Sequence, residues 1–175
     1  QAYDGETVAE HGFHVYPESP TGLEASTGTP ANYATRNMTN GTYGYQIVYR
    51  WTDNQGQEHR CAASAHISGK ITSVPSPAPS PTGYGISLTI PTLRLTQKSN
   101  VMIEIYRTEA NLSDVYYLTN TVSAPLANDM SVDTVTFLDG KPDLQLISGR
   151  TLYTTGGVLE NIAAPSARVM ATHTG

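Results

Sequence analysis

Apolar and polar positions alternate most strictly between residues 41 and 52. Tyr43, Tyr45, Ile47, Tyr49 and Trp51 fall on one side at period two, and Gly44, Gln46, Val48 and Arg50 on the other. Successive side chains of a strand point to opposite faces, so this spacing predicts a long strand with an aromatic face. Asp53-Asn54-Gln55-Gly56 supplies turn chemistry, and 57–64 predicts a shorter return strand that completes a hairpin. Further on, Ile86, Leu88 and Ile90 alternate within 85–95 until Pro91, which suits an edge or a bulge. In 101–107, Val101, Ile103 and Ile105 share one face, and Met102, Glu104 and Tyr106 the other. Segments 115–122 and 134–138 are also strand-like, the second closed by Asp139-Gly140.

Between these elements the chain is dense in turn formers. Residues 1–40 lack sustained periodicity and predict a loop-rich arm, with short strands at 8–10 and 13–16 at most. Residues 75–85 carry four prolines, which cannot donate a continuous ladder, and predict an extended crossover. Residues 148–175 predict a second arm or the start of a further β domain. No helix is predicted, since 158–164 is short and is followed by Pro165. Six or seven short strands at intervals of about a dozen residues point to an all-β sandwich. It would occupy residues 41–147, flanked by the irregular arms.

Composition agrees with strands. The 175 residues contain 23 Thr, 14 Ser, 9 Asn, 15 Gly and 11 Pro, a mixture that favours strands and turns over helices. No apolar run approaches the roughly 20 residues of a spanning helix. Charged residues make up 14%, against about 25% in an ordinary domain. The net charge of -5, with no basic cluster, argues against binding nucleic acid through phosphate contacts. A single cysteine, Cys61, excludes an intrachain disulfide framework and suits folding in a reducing compartment. The start at Gln1, without a Met or an apolar leader, suggests a piece of something longer.

Candidate chemistry is sparse. His11 and His14, with Glu10 or Asp4, have a spacing open to a metal, but a strand would send the two imidazoles to opposite faces and Gly12 disfavours a helix. Cys61 near His59 or His66 lacks any nucleophile motif, and a small buried thiol is the plainer reading. Asp53 with Glu58, and Asp139 with Asp143, resemble the carboxylate pairs of glycosidases, yet each sits at a turn, where Asp commonly caps its own backbone. Gly156-Gly157 lacks the strand, Lys and helix of a phosphate loop. No residue is therefore assigned a catalytic, cofactor-binding or metal-ligating role, and no cofactor is implied. The row of Tyr43, Tyr45, Tyr49 and Trp51 admits two readings, a buried core face or an exposed face that stacks on sugars or on a neighbouring subunit. Core is expected for most of them, and interface for one or two.

A Tyr-x-Tyr-x-aliphatic strand, a turn with Gly and a return strand ending in Ala-Ser resembles the last hairpin of a fibronectin type III domain. The segments ISLTIP, VMIEIYRTE, VYYLTNTV and TVTFLDG resemble the middle of such a domain. Last strands thus precede middle strands, either in one sandwich with a rearranged strand order or across the junction of two domains. The irregular 1–40 favours the first. More of the chain, in order, resembles the large tail proteins of short-tailed bacteriophages, through Tyr49-Arg50-Trp51-Thr52-Asp53, Ile105-Tyr106-Arg107-Thr108 and Leu152-Tyr153-Thr154-Thr155-Gly156-Gly157. Where such a hairpin usually finishes with Ser-Ala-Pro-Ser, this chain has Cys61-Ala62-Ala63-Ser64.

The resemblance implies a non-enzymatic structural component of a tail nozzle or hub, in a virion assembled in the host cytoplasm. Its implied partners are copies of itself in a ring and adjacent tail proteins, with DNA passing without sequence-specific binding and no membrane. The competing expectation is a fibronectin-like or carbohydrate-binding module that recognises a host-surface glycan or receptor.

Overall fold

The structure is a computed structural model that describes residues 2–3, 8–9, 15–27, 38–53, 56–71, 84–94, 98–121 and 125–152. Eleven strands and one helical turn lie among them: β1 (Ala2–Tyr3), β2 (Val8–Ala9), β3 (Thr21–Thr27), β4 (Gly41–Thr52), β5 (Glu58–Arg60), β6 (Ile67–Ile71), β7 (Tyr84–Pro91), β8 (Met102–Arg107), β9 (Tyr117–Leu118), β10 (Leu126–Ala127), β11 (Thr134–Asp139) and α1 (Asp143–Leu146). The fold is all-β, and every pairing among the described strands is antiparallel. No described helix is long and apolar enough to cross a membrane.

The twelve-residue β4 organises the larger sheet, as its alternation predicts. β8 runs along one side of it, while β5 and β6 share the other. β9 and β10 pair with the far side of β8. β1 and β2 form a separate two-stranded pair, and the second large sheet has the order β11-β7-β3. Both sheets contribute to one core, in which Tyr45, Ile47 and Tyr49 of β4 and Ile103 and Ile105 of β8 cluster with Ile86, Leu88 and Ile90 of β7. A buried apolar stripe on each sheet supplies the largest favourable term for their association, about 25 cal/mol per Å² of apolar surface removed from water.

The return of the first hairpin is broken. β5 pairs with residues 50–52 and β6 with residues 41–45, and two extra residues accumulate between the two registers. Side chains repair the interrupted ladder there. The Tyr49 amide donates to Cys61 Sγ and the Ile47 amide to Ser64 Oγ, while Cys61 and Ser64 return their own amides to the Tyr49 and Ile47 carbonyls. The pattern within 57–64 predicts only the first half of this return, because β6 has Gly69 and Lys70 in place of an apolar alternation.

Three other differences have a similar cause. Thr21–Thr27 lies within the expected arm 1–40 yet forms β3, which completes the second sheet through its pairing with β7. Its sequence, TGLEAST, lacks alternation, so its partner strand dictates the conformation. The strand predicted over 115–122 narrows to Tyr117–Leu118. Asp143–Leu146 forms one helical turn, too short to leave a periodic signal. Of the proline-rich crossover 75–85, only Tyr84 and Gly85 lie among the described residues. Strands from either side of it nevertheless pair with each other, β4 with β8 and β3 with β7. Most of the C-terminal segment 148–175 also lies outside the described residues, but its start is tied to β9 by the Leu118 amide on the Arg150 carbonyl and the bridge between Tyr117 and Thr151.

Candidate functional site

Alternation along β4 and β8 sorts their side chains into two chemical environments. On the inner face, Arg107 follows Ile103 and Ile105 in phase and so enters the core, where it is fully buried. Its Nη2 donates to Asp143 Oδ1 at 2.8 Å, and Nη1 lies 3.1 Å from Asp139 Oδ2 without hydrogen-bond geometry. The Tyr43 ring stands 4.9 Å from the guanidinium carbon, within cation–π range. Tyr45 Oη donates to Asp139 Oδ2 at 2.9 Å, which links β4 of one sheet to β11 of the other. The remaining carboxylate oxygens are also occupied: Asp139 Oδ1 accepts the Lys141 amide and Asp143 Oδ2 the Ala110 amide. Tyr45 titrates well above its ordinary range, first because it is buried and then because the Asp139 charge faces it.

On the outer face Glu104, 3% exposed, collects Arg60 Nε at 3.0 Å, Arg150 Nη2 at 2.6 Å and the Tyr106 hydroxyl at 2.9 Å. Glu58 extends the cluster by accepting from Arg50 at 2.6 Å and Arg60 at 2.7 Å. Burial alone would raise the Glu104 carboxyl, but hydrogen bonds and charge from Arg60, with help from Arg150 and Tyr106, outweigh it and hold the group below its usual value. Tyr106 is pushed up to about 12, by burial first and then by the adjacent Glu104 charge. A third cluster lies where β4 meets β5. Trp51 stacks on His59 with ring centroids 5.3 Å apart, Lys98 Nζ sits 3.5 Å from the Trp51 ring centroid, and His59 Nε2 lies 2.8 Å from Asp53 Oδ2.

The four residues of the aromatic row are all buried in the chain by itself. Tyr43 and Tyr45 are 0% exposed, Tyr49 3% and Trp51 8%. Tyr43 donates to the Thr39 carbonyl and Tyr49 to the Pro91 carbonyl, so each buried hydroxyl has a backbone partner. The carboxylate pairs separate by role. Asp53 caps its turn through the Gln57 amide, whereas Glu58 is held by arginines. Asp139 and Asp143 do come together, on Arg107. Burial pushes the Cys61 thiol up to about 12, so the group stays protonated and serves as an acceptor for the Tyr49 amide.

His66 contacts the Tyr116 hydroxyl and Ser68, beside an open depression of about 310 Å³ that Thr42, Asn111 and Ser113 help to line. Glu10, His11, His14 and Asp4 lie outside the described residues, as do Gly156 and Gly157. Among the described residues, no group of three or more His, Cys, Asp or Glu side chains is arranged to hold a metal.

Sequence reasoning names Arg107 only within a resemblance motif and Glu104 only as part of a strand face, and expects neither these nor Arg150 to form charge clusters. A signal existed for the first, because a charged residue in phase with Val101, Ile103 and Ile105 must enter the core and needs a buried counter-charge. No family model, curated protein or solved structure matches the chain.

Proposed function

We propose that the chain is a non-enzymatic structural block of a bacteriophage tail nozzle or hub. It is built as a fibronectin type III-like or immunoglobulin-like sandwich with rearranged strand order, and it takes its place in a homo-oligomeric ring around the DNA channel. The tail and the ring come from the resemblance of the strand motifs. The observation that carries a structural role over glycan recognition is the burial of Tyr43, Tyr45, Tyr49 and Trp51. A sugar-stacking platform needs exposed aromatic faces, whereas this row is buried and two of its members, Tyr45 and Tyr49, bond to the other sheet.

Strand order supports the sandwich reading. The hairpin that comes early in the chain supplies β4, which lies next to β8 as the last-hairpin and middle strands of a fibronectin-like domain would. Charge supports the assembly reading. Arginines and glutamates on the outer face of β4 and β8 pair with one another, so this face can pack against a subunit without stranding those charges. A net charge of -5 suits the wall of a channel through which a phosphate backbone must slide without sticking.

Native mass measurement of the chain, and of the purified particle that contains it, tests the proposal. A closed ring, or a place in a tail, is expected. A lone monomer that binds sugars in a glycan screen would overturn it in favour of the carbohydrate-binding alternative.

A further inference from the structure

One side of β11 is an open sheet edge. β11 pairs with β7, and no other described strand lies against it. Next to the pair of Thr134 and Pro91, the Thr92 amide donates to the Asp133 carbonyl, so in this antiparallel ladder residues 133, 135 and 137 bond toward β7. The backbone N–H and C=O groups of Thr134, Thr136 and Leu138 therefore point away from it. Natural edges are blunted by charge, Pro, bulges or brevity. The other described edges follow that rule: β3 is bulged between Thr21 and Glu24, β6 carries Lys70, β5 has three residues, and β1, β2, β9 and β10 have two each. β11, TVTFLD, has six residues in regular register and no charge before Asp139. It leaves apolar surface open as well. Val135 and Phe137 pack only partly against the core, and Met130 and Val132, just before the strand, are 44% and 40% exposed.

We propose that this edge is an interface for a second copy of the chain, whose own β11 pairs with it antiparallel about a two-fold axis through Thr136. Strand addition needs an open edge, and a two-fold contact needs a surface complementary to itself. With Thr136 opposite Thr136, Thr134 of each copy meets Leu138 of the other, and the outward groups of all three residues bond across the seam, about six hydrogen bonds in all. The same register sets Val135 against Phe137 on the core-side face and Thr136 against Thr136 on the outer one, and both are favourable cross-strand pairs. A shift of two residues either way leaves Thr134 or Leu138 without a partner inside the strand. Charge agrees with this register. Asp133 and Asp139, brought opposite each other, are already paired with Arg94 and Arg107, and Lys141 of each copy is carried toward the Asp129 to Asp133 end of the other. One short strand buries less than the roughly 1,200–2,000 Å² of a stable interface, so the dimer is weak and reversible. A two-fold contact closes on a pair, which makes the inference independent of the ring proposed above.

Sedimentation equilibrium of the whole chain, from micromolar to millimolar concentration, tests it, and a reversible dimer is expected. Thr136→Pro removes the outward amide from both copies while sparing its neighbours' bonds to β7, and should weaken the dimer at least about tenfold. Thr136→Lys sets two like charges face to face at the axis and should also weaken it, with the monomer's melting temperature unchanged because Thr136 is exposed. Disulfide crosslinking reads the register. Thr136→Cys should form a covalent dimer under mild oxidation, since a hydrogen-bonded pair about 5.5 Å apart at Cα is within disulfide reach. Thr134→Cys, which faces Leu138, should not, and the buried Cys61 does not compete. A chain that stays monomeric to millimolar concentration, or equal crosslinking through the two cysteine variants, would overturn the proposal. So would a dimer or ring indifferent to Thr136→Lys, although such a ring would leave the tail reading in place.

Discussion

Tyr45 Oη and Asp139 Oδ2 meet at 2.9 Å across 94 residues of chain, both buried and each on a different sheet. Through Asp139 the bond reaches Arg107, and through Arg107 it reaches Asp143, so one phenol helps to orient a buried charge cluster. Removing the hydroxyl while keeping the ring leaves Asp139 short of a donor. Tyr45→Phe should lower stability by about 1–3 kcal/mol with an unchanged denaturant slope, measured by urea unfolding. An unchanged midpoint would show that the hydroxyl contributes nothing net.

The outer cluster sets the acid limb of stability. Glu104 is held below its ordinary value in the folded chain, against about 4.3 when unfolded. Its stabilisation is therefore fully present above roughly pH 4.3 and is lost as pH falls through the folded value. Urea midpoints taken from neutral pH downward should drop on the acid side. Glu104→Gln should start lower at neutral pH and fall less steeply. A parallel acid limb in the variant would assign the loss to other carboxylates.

Alkaline behaviour has the opposite sign. Tyr49 and Tyr106 are each pushed up to about 12, burial being the largest cause, and Cys61 is raised to about 12 in the same way. For groups that are neutral when protonated, a raised folded value means that stabilisation is present below the unfolded values, about 8.5 for the thiol and 10 for the phenols. It is lost as pH rises through the folded ones. Phenolate absorbance should thus show a late step that coincides with loss of the strand circular dichroism signal. A thiol reagent at neutral pH should label Cys61 only as fast as the chain unfolds. Rapid labelling of the folded chain would contradict this account.

Gly85 tests how tightly β7 and β11 are joined. A Cβ at this position would stand 2.5 Å from the Asp139 carbonyl oxygen, which is backbone and cannot swing aside. Gly85→Ala should cost about 1–3 kcal/mol through the forced shift of β11. Gly56 offers the contrast. It has open space around it and a φ of +81°, so Gly56→Ala should cost about 1 kcal/mol through backbone strain alone. The two melting curves distinguish a steric loss from a conformational one.

Strands β4, β7, β8 and β11 were legible in the sequence because each carries its own alternation of apolar and polar residues, and a half-buried strand needs nothing more to declare itself. β3 and β6 were not, since Gly22 and Gly69 interrupt patterns that are weak already, and their conformation comes from the strands they join. Core was the expectation for most of the aromatic row, and that Tyr43, Tyr45 and Tyr49 share one face followed from the period of β4. Their hydroxyl partners did not, because Thr39, Asp139 and Pro91 are chosen by how the chain folds back.

The sequence alone therefore determined the all-β class, which residues share a face of the central strands and the lack of any intrachain disulfide. These are local properties of side-chain order, propensity and cysteine count. Tertiary structure decided the rest: which carboxylates face Arg107 and how three arginines converge on Glu104. Each of these turns on distances between residues far apart in the chain, which are set by sheet register and loop closure and have no counterpart in local sequence pattern.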